Sequence, residues 1–322
     1  MVLIFSNSAD FHTDAVINQI YAVKGRFFRL NTEYLHRDYD FTLYPNEKRF
    51  EIKNTVNGKV VCSSDITCAW WRRPEKIKIS DDDAPQMLHA FLTDEYRLVL
   101  RGLINILEQN GCRIVTDPSI LNKAKDKTLQ QIWAKECGFR LPNQIITTSN
   151  HAFDHYFKNE PQLVSKSIDS IESIRDEERN KDFNLFANVI SETVREKIER
   201  AEVKINVSYF QSKIQRNYEL RVIAFGQSVY PFVIDDSGYD VDWRRVDPDS
   251  IDFKMVPNAT VTQKCLDYLS LSGLAYGAFD IIVDNDDEYH FIECNPNGQF
   301  LFCDIHGKTD LLKDFVSYLL NG

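Results

Sequence analysis

The segment FIECNPNGQF, residues 291–300, ends an apolar run with a carboxylate and an amide two positions apart. Side chains of a strand alternate between its two faces, so Glu293 and Asn295 are predicted to lie on the same face. Pro296 and Gly298 then predict a sharp turn, because both residue types favour turn conformations. The pattern predicts a strand that delivers two oxygen donors to one side of a sheet and then turns at once.

A single acid, Asp280, lies in the preceding apolar run, GAFDIIVD at residues 277–284. If the two runs pair as an antiparallel hairpin, Asp280 lies beside Glu293 and Asn295. Two carboxylates and an amide suit Mg²⁺, which usually completes its coordination shell with phosphate oxygens. The alternative is that Asp280 is a solvated acid at a strand end and that Glu293 pairs with a lysine. That alternative does not explain why three oxygen donors occur together with the Asn-Pro-Asn-Gly turn.

Composition limits the classes of protein that this chain can represent. Of its 322 residues, 43% are hydrophobic, which is enough to bury a core and excludes wholesale disorder. A net charge of -10 argues against a general nucleic-acid binder, and no apolar run approaches the ~20 residues that span a bilayer. The seven cysteines are widely spaced without a Cys-x-x-Cys pair, which is typical of reduced thiols. We therefore expect a soluble, cytoplasmic protein with no nucleic-acid or membrane partner.

The first third of the chain predicts an α/β layer. MVLIFS at residues 1–6, a stretch of helical periodicity that ends near Gly25, and RFFRLN at residues 26–31 follow a strand-helix-strand pattern. Further along, Asn57-Gly58 lies between two alternating runs and indicates a hairpin with a type I′ turn.

Two helices are expected on either side of a domain boundary. The first is predicted to run from Thr93, as its N-cap, to Gly111, just past its end. The boundary follows at residues 117–118, and SILNKAKDKTLQQIWAKECG predicts the second helix over residues 119–138.

The rest of the chain alternates predicted strands and helices, apart from a charged and irregular region over residues 169–206. The predicted fold class is α/β with an α+β character. We divide it into an N-terminal α/β domain over residues 1–117, a central domain over residues 118–210 and a C-terminal domain over residues 211–322.

Asp280, Glu293 and Asn295, together with ECNPNGQF, resemble the magnesium-binding end of the ATP-grasp ligases. The resemblance implies an ATP-grasp fold, a C-terminal catalytic domain, and ATP and Mg²⁺ as cofactors. It also implies two lysines that hold the nucleotide phosphates, which by order and context correspond to Lys127 and Lys166. The alternative for Lys127 is an ordinary lysine on a helix surface. Lys166 lies in an apolar strand and would lose hydration there, so a bound anion is a reasonable partner.

The segment YFQSKI, residues 209–214, resembles the adenine-binding hinge of the same family. The resemblance assigns four residues to the nucleotide site, namely Gln211, Ser212, Lys213 and Ile214. Most relatives have Glu where this chain has Ser212. Because backbone groups of the hinge would read the purine edge, this departure weakens the motif match more than the function.

ELR at residues 219–221 begins the next predicted strand, and its two charged side chains share a face. The resemblance implies that Glu219 meets the ribose or a metal-bound water and that Arg221 lies over the γ-phosphate. Arginine suits this role because its guanidinium binds oxyanions bidentately and stays charged. The alternative is an ion pair of Arg221 with Glu219 or Glu293. Many family members also have a glycine-rich lid, whereas residues 167–182 contain no glycine.

Three segments narrow the resemblance to one branch of the family. AWWRRP at residues 69–74, DVDWRRVD at residues 240–247 and NPNGQF at residues 295–300 resemble the signature set of the graspetide synthetases. These enzymes are macrocyclases of ribosomally made peptides, are related to the microviridin ligases and resemble the ribosomal-protein glutamate ligases in fold. The resemblance covers essentially the whole chain.

The same resemblance assigns charged residues to a peptide substrate. Arg72, Arg73 and Arg244 would hold an acidic peptide near the γ-phosphate, on a chain whose net charge is -10. Arg244 would also contribute to catalysis, and Asp242 would take the proton of an attacking hydroxyl. The alternatives are that each arginine is a solvated or ion-paired strand end and that Asp242 only orients Arg244.

Three functions stay open from the sequence. The first is an ATP-dependent macrocyclase that phosphorylates Asp or Glu side chains of a precursor peptide and joins them to Thr or Ser hydroxyls or to Lys amines. The second is a glutamate-adding ligase that acts on a protein tail, and the third is a nucleotide-binding module without turnover. The first implies a precursor with a leader, bound in the central domain, and an acidic, Thr-rich core. Relatives also imply a homodimer.

Overall fold

The computed structural model of the protein describes residues 1–168, 173–176, 181–184, 187–234 and 251–322. Within these ranges the helices are α1 (Phe11–Ala22), α2 (Leu35–Asp38), α3 (Gln86–Gln109), α4 (Pro118–Ala124), α5 (Lys127–Glu136), α6 (Asn150–Phe157), α7 (Glu192–Glu199), α8 (Ala259–Ser272), α9 (Leu301–Gly307) and α10 (Leu311–Asn321). The strands are β1 (Val2–Ser6), β2 (Phe27–Asn31), β3 (Tyr39–Tyr44), β4 (Arg49–Asn54), β5 (Val60–Cys62), β6 (Cys68–Trp71), β7 (Arg113–Val115), β8 (Gln144–Thr147), β9 (Leu163–Lys166), β10 (Ser173–Asp176), β11 (Lys181–Asn184), β12 (Asn188–Val189), β13 (Ser208–Ser212), β14 (Arg216–Phe225), β15 (Ser228–Ile234), β16 (Phe253–Met255), β17 (Tyr276–Asp284) and β18 (Tyr289–Asn295).

The N-terminal part contains a four-stranded parallel sheet in the order β2-β1-β6-β7. Helix α1 connects the parallel strands β1 and β2, which confirms the predicted strand-helix-strand unit. Both faces of β1 are buried: Leu3 and Phe5 pack with α3, while Val2 and Ile4 share a core with α10. A second sheet, β3-β4-β5, is antiparallel and packs on the α3 side.

The structure corrects the predicted start of α3. This helix begins at Gln86, so Thr93 lies inside it and is not its N-cap. The Thr93 hydroxyl instead donates to the carbonyl of His89 at 2.7 Å, an alternative partner that threonine commonly finds within a helix. The predicted end is confirmed, since Gly111 follows the helix with a φ of 71°.

The hairpin between β4 and β5 is present, but its predicted turn type is wrong. A type I′ turn needs positive φ at both central residues, and in this fully described turn only Gly58 has one, at 71°. The reason is that the Asn54 side chain accepts from the backbone N–H groups of Val56 and Asn57, which closes a longer loop.

The helix predicted over residues 119–138 is in fact two helices, α4 and α5. The break occurs because the Asp126 carboxylate accepts from the backbone N–H groups of Thr128 and Leu129 and so caps a new helix. Lys127 therefore occupies the first position of α5. The apolar residues of both helices pack on the C-terminal sheet.

The central part contains a four-stranded sheet in the order β12-β9-β13-β8. One of its faces buries Leu163 and Phe210 against Phe153 and Phe157 of α6. The opposite face is therefore available to line a cleft.

The C-terminal part contains a five-stranded antiparallel sheet in the order β16-β15-β14-β17-β18. One face of β14 and β17 packs on α4, α5 and α8 through a set of apolar residues that includes Leu220, Val222, Phe279 and Ile281. Among the helices of the described ranges, none is both long enough and apolar enough to cross a membrane.

Candidate active site

Three charged side chains form a row across the C-terminal sheet. The register pairs Arg221 of β14 with Asp280 of β17, and Asp280 with Glu293 of β18. Directly opposite residues of antiparallel strands share a face, so the row is continuous. The predicted antiparallel hairpin is confirmed, and it brings together the two acids that the sequence pattern assigned to a metal.

A one-residue bulge in β18 determines which residue lies opposite Asp280 in this row. Ile281 pairs with Phe291, whereas the adjacent Asp280 pairs with Glu293, so Ile292 is the extra residue of the bulge. Without the bulge, continuing the register would place Ile292 opposite Asp280. The bulge thus brings a carboxylate instead of an apolar side chain beside Asp280.

Arg221 is buried, with 5% of its surface exposed. Its Nη1 donates to Asp280 Oδ1 at 2.8 Å and its Nη2 donates to the carbonyl of Gln299 at 3.2 Å. Its Nε is also buried and has no hydrogen-bond partner among the described residues. Asp280 is therefore the acid with which Arg221 pairs here, although sequence reasoning considered Glu219 and Glu293.

Lys127 links the row to the central sheet. Its Nζ lies 4.0 Å from Glu293 Oε2 and donates to the carbonyl of Ser167 at 2.7 Å. The position at the start of α5 makes this reach possible, because α5 packs beside β18. Glu293 therefore pairs with a lysine in this structure, as the alternative stated from the sequence expected, and the assignment of Lys127 to nucleotide phosphates stays a prediction.

Lys166 lies on the cleft face of the central sheet. It pairs in register with Tyr209, while the neighbouring pair, Ser165 and Phe210, directs Phe210 into the core. Burial raises the pKa of Tyr209 and the negative charge of Glu293 adds to the rise, so this face looks toward Glu293. Lys166 and Glu293 thus line opposite walls of one cleft.

A polar strip runs from the row toward the hinge. Arg216 pairs in register with Asp284, and its Nη1 donates to Glu219 Oε1 at 3.0 Å. Asp280, Ile282 and Asp284 alternate with residues buried in the core, so they share the cleft face. Four residues along a strand span about 13 Å, which is comparable with an extended nucleoside triphosphate.

A cavity of about 370 Å³ opens at the hinge end of this strip. It is lined by three of the predicted hinge residues, Ser212, Lys213 and Ile214, and on the other side by Asp284 and His290. This volume falls within the range of small-molecule sites.

The hinge residues are held from behind by the two connectors that lead into β8 and β9. The backbone N–H groups of Ser212 and Lys213 donate to the carbonyls of Asn143 and Gln162, at 2.8 and 2.9 Å. Those two donors are thus already used. Gln211 is buried within β13 and pairs with Gln144, so it supports the hinge from inside the sheet.

Arg72 is 2% exposed, which contradicts the expectation of an open positive patch at this residue. Its Nε donates to Asp10 Oδ2 at 3.1 Å, and its Nη1 donates to the carbonyls of Asn297 and Gly298 at 2.5 and 3.2 Å. Arg73 also reaches the carbonyl of Asn297, at 3.4 Å. Both arginines therefore contact the turn that follows Glu293.

Sequence reasoning missed several residues around the cleft. Tyr209 faces it, Arg216 lies along it, and His12 contacts the turn behind it. Tyr209 begins the hinge segment YFQSKI but was given no role, and His12 and Arg216 lie in no quoted motif. Asp242 and Arg244, which were predicted from DVDWRRVD, lie outside the residues that the structure describes.

The donor set fits a magnesium ion. Asp280 and Glu293 are adjacent, and Asn295, two positions further, accepts the N–H of Asn297 at 3.0 Å with one of the two lone pairs of its Oδ1. The described ranges contain no cluster of three His, Cys, Asp or Glu residues, so a site of carboxylates alone is not formed there. Two carboxylates and one amide are the donors available.

Comparisons with known proteins agree with this architecture. A family model described as the MvdD pre-ATP grasp domain matches residues 1–118. A RiPP-associated ATP-grasp ligase of Chryseobacterium gregarium, solved with ADP and a leader and core peptide, superposes with a TM-score of 0.85 at 22% identity, covering 99% of this chain and 96% of that chain. Macrocyclase MdnC of Microcystis aeruginosa MRC, bound with precursor peptide MdnA, superposes with a TM-score of 0.82 at 21% identity, covering 99% of both chains.

A third solved structure is the ATP-grasp ligase PsnB, complexed with a minimal precursor, Mg and ADP. It superposes with a TM-score of 0.76 at 15% identity, covering 99% of this chain and 96% of that chain. The curated proteins that were compared include no match. At these identities the likeness establishes the fold, over nearly the whole length of each chain.

Proposed function

We infer, from the ATP-grasp fold that this chain adopts, that it is an ATP-dependent, ADP-forming peptide macrocyclase. It phosphorylates Asp or Glu side chains of a ribosomally made precursor and joins them to Thr or Ser hydroxyls or to Lys amines. The observation that carries this proposal is the row of Arg221, Asp280 and Glu293, with Lys127 4.0 Å from its end. The solved relatives that hold precursor peptides support the substrate class.

Mg²⁺ would be held by Asp280, Glu293 and Asn295. When bound, it supplies charge neutralisation and orientation of the phosphate oxygens. Lys127 and Lys166, on opposite walls of the cleft, contact the nucleotide phosphates. Their two positive charges offset the negative charge that two adjacent carboxylates bring to the site.

The nucleoside occupies the strip and the cavity at the hinge. Glu219 lies halfway along the strip, where a ribose hydroxyl would meet it. The four hinge residues surround the adenine, and because the Ser212 and Lys213 N–H groups are engaged, the remaining backbone groups read the purine edge. These four hinge residues are Gln211, which supports the segment from inside the sheet, and Ser212, Lys213 and Ile214.

The reaction proceeds in two transfers. An oxygen of the peptide carboxylate forms a bond to the γ-phosphorus, and the bond from that phosphorus to ADP breaks, giving an acyl phosphate. The hydroxyl or amine of the acceptor then bonds to the acyl carbon, and inorganic phosphate leaves. Arg221 holds the transferred phosphoryl group through its charged guanidinium, whose buried Nε has no partner among the described residues.

The proton that the acceptor loses passes to Asp242, and Arg244 holds the acidic core of the peptide near the transferred phosphoryl group. Arg73 contributes to the same substrate surface. Arg72 adds positive potential from its buried position beside the turn. These four assignments rest on the segments AWWRRP and DVDWRRVD.

The partner is a precursor peptide with a leader that binds in the central domain and an acidic, Thr-rich core. We also propose a homodimer and a cytoplasmic location, the latter from the wide spacing of the cysteines. The domains extend over residues 1–117, 118–210 and 211–322, with α4 and α5 packed on the C-terminal sheet.

The test is ADP release together with the intact mass of the peptide. A candidate precursor encoded beside the gene, with its leader, is incubated with the protein, ATP, Mg²⁺ and free glutamate. Release of ADP with loss of one water per ring supports the macrocyclase. A mass gain of one amino acid per ADP would identify a glutamate-adding ligase, and nucleotide binding without ADP release from any such peptide would identify a binding module.

A further inference from the structure

The turn that follows Glu293 is held mainly from the N-terminal α/β part. We propose that His12 and Arg72 are positioning residues that fix this turn and, through it, the orientation of Arg221 and Asn295 toward the metal and phosphates. The proposal rests on the proposed function of that site. It assigns to the N-terminal part a direct share in building the catalytic centre.

His12 supplies the first contact. It is fully buried, and its Nε2 accepts hydrogen bonds from the backbone N–H groups of Phe300 and Leu301, at 3.1 and 3.2 Å. Only an unprotonated Nε2 can accept, so the ring is neutral with its proton on Nδ1. Burial and the nearby positive charge of Arg72 lower the pKa of His12 to about 3, so this state persists at neutral pH.

Arg72, which directly follows strand β6, supplies the second contact. Its guanidinium reaches the carbonyls of Asn297 and Gly298 while its Nε stays on Asp10. Asp10 also caps α1 by accepting from the N–H of His12 at 3.1 Å. The two positioning residues are therefore tied to each other through one carboxylate, and they act on the turn as a unit.

The turn transmits this constraint to the site by close packing. A Cβ added at Gly298 would lie 2.4 Å from the Cβ of Ala278 and 2.9 Å from Nη2 of Arg221. That same Nη2 donates to the carbonyl of Gln299, while Nη1 holds Asp280. Because the packing leaves no slack, a displacement of the turn moves Arg221 and its acid together.

The role of His12 depends on its ability to accept hydrogen bonds, and not only on the space that its ring fills. Two consecutive N–H groups at the start of α9 need a buried acceptor, and leaving them without one carries a desolvation cost. A residue that only filled space would not meet this need. The predicted consequence is that an acceptor at the same place, and not bulk alone, preserves the site.

The experiment compares His12→Phe, His12→Gln and a control, Val16→Ala. Val16 lies one turn further on the same helix and is fully buried in the core, and its side chain has no atom that can accept a hydrogen bond from the turn, so it reports general destabilisation. The measured quantities are the Kd of ADP with and without Mg²⁺, by calorimetry, and the melting temperature of each variant. The probe is ADP alone, so no peptide is required.

In His12→Phe we expect the Mg²⁺-free Kd of ADP to stay near that of the wild type. The tightening by Mg²⁺, which is the ratio of the Kd without Mg²⁺ to the Kd with it, should fall about 10-fold. In His12→Gln, whose Oε1 can reach the place of Nε2, most of the tightening is retained. In Val16→Ala the melting temperature falls and the tightening is unchanged. Unaltered tightening in a folded His12→Phe variant, or an equal loss in Val16→Ala, would overturn the proposal.

If His12→Phe does not fold, His12→Asn replaces it. The shorter Asn side chain cannot reach the place of Nε2, so its Mg²⁺ response should fall while that of His12→Gln holds. Equal responses in both would overturn the proposal. A wild type that binds MgADP but converts no peptide would overturn the proposed function alone. A wild type whose ADP affinity ignores Mg²⁺ would overturn the positioning role.

Discussion

The guanidinium of Arg221 donates a 2.8 Å hydrogen bond to Asp280, the acid that lies directly opposite Glu293. Two adjacent carboxylates repel each other, and here Arg221 on one side and Lys127 on the other offset that repulsion. The site is thus electrostatically compensated by the protein itself. A metal ion would therefore bind two acids that already pair with Arg221 and Lys127.

Replacing Glu293 by Gln should abolish most turnover and leave the fold intact. The amide keeps the shape of the side chain but loses the charge that a divalent cation needs, so ADP release should fall about 100-fold or more. The assay is peptide-dependent ADP release, with ADP binding measured in parallel. Glu288→Gln is the matched control. Glu288 lies on the same hairpin as Glu293, but its side chain is exposed and forms its ion pair with Arg140. Full turnover in Glu293→Gln would contradict the metal assignment.

Replacing Lys127 by Met should weaken ATP binding. The side chain keeps its length but loses the charge that faces Glu293 and the phosphates, so the Kd of ATP should rise about 10-fold or more. Titration of ATP by calorimetry checks this. Lys135→Met, on an exposed position of the same helix, should bind ATP as the wild type does. Equal affinities of the two variants would exclude a phosphate role for Lys127.

Replacing Gly298 by Ala should impair catalysis through crowding. The new Cβ would meet Ala278, and overpacking of this kind costs about 1–3 kcal/mol. A misplaced Arg221 should lower kcat about 10-fold or more. The double variant Ala278→Gly with Gly298→Ala removes the nearest clashing atom and should recover part of kcat. No recovery would show that the contact with Arg221 itself is limiting.

The stability of the protein should fall in mild acid because of His12. Its pKa is lowered from 6.5 to about 3 in the folded state, so between these values only the unfolded chain binds the proton. The contribution is complete above pH 6.5 and is lost as the pH falls, by at most about 1.4 kcal/mol per pH unit. The charged groups that face His12 are Asp10, Arg72 and Arg73.

Urea unfolding of the wild type and of His12→Gln, at several pH values from 5 to 7, measures this effect. The free energy of unfolding of the wild type should decline more steeply toward pH 5 than that of the variant. Parallel curves would mean that His12 is protonated in the folded protein or is not buried.

The hairpin of β17 and β18 can be predicted from the sequence, but the residues that surround it cannot. The period of two along a strand is enough to place Glu293 and Asn295 together, and the apolar runs around Asp280 are enough to pair the strands. The bulge at Ile292 has no signal in the sequence, because it depends on which register packs best. The fold class and the ATP-grasp architecture are confirmed.

Residues whose roles depend on long-range contacts could not be predicted. His12 meets the backbone of Phe300, 288 positions away, and Arg72 meets Asn297, 225 positions away. No local pattern distinguishes a buried arginine that holds carbonyls from an exposed one that binds a substrate. The roles proposed for Lys166, Glu219 and the hinge stay predictions that binding measurements can test.

Val2 and Ile4 of the parallel sheet share one apolar core with Phe315 and Leu319 of α10, which lies at the other end of the sequence. In a chimaera that exchanged only the first 117 residues for those of a relative, the side chains of β1 would therefore no longer be matched to those of α10. An exchange of the N-terminal part therefore requires that the matching α10 be exchanged with it, so recombination in this fold has to replace both segments together.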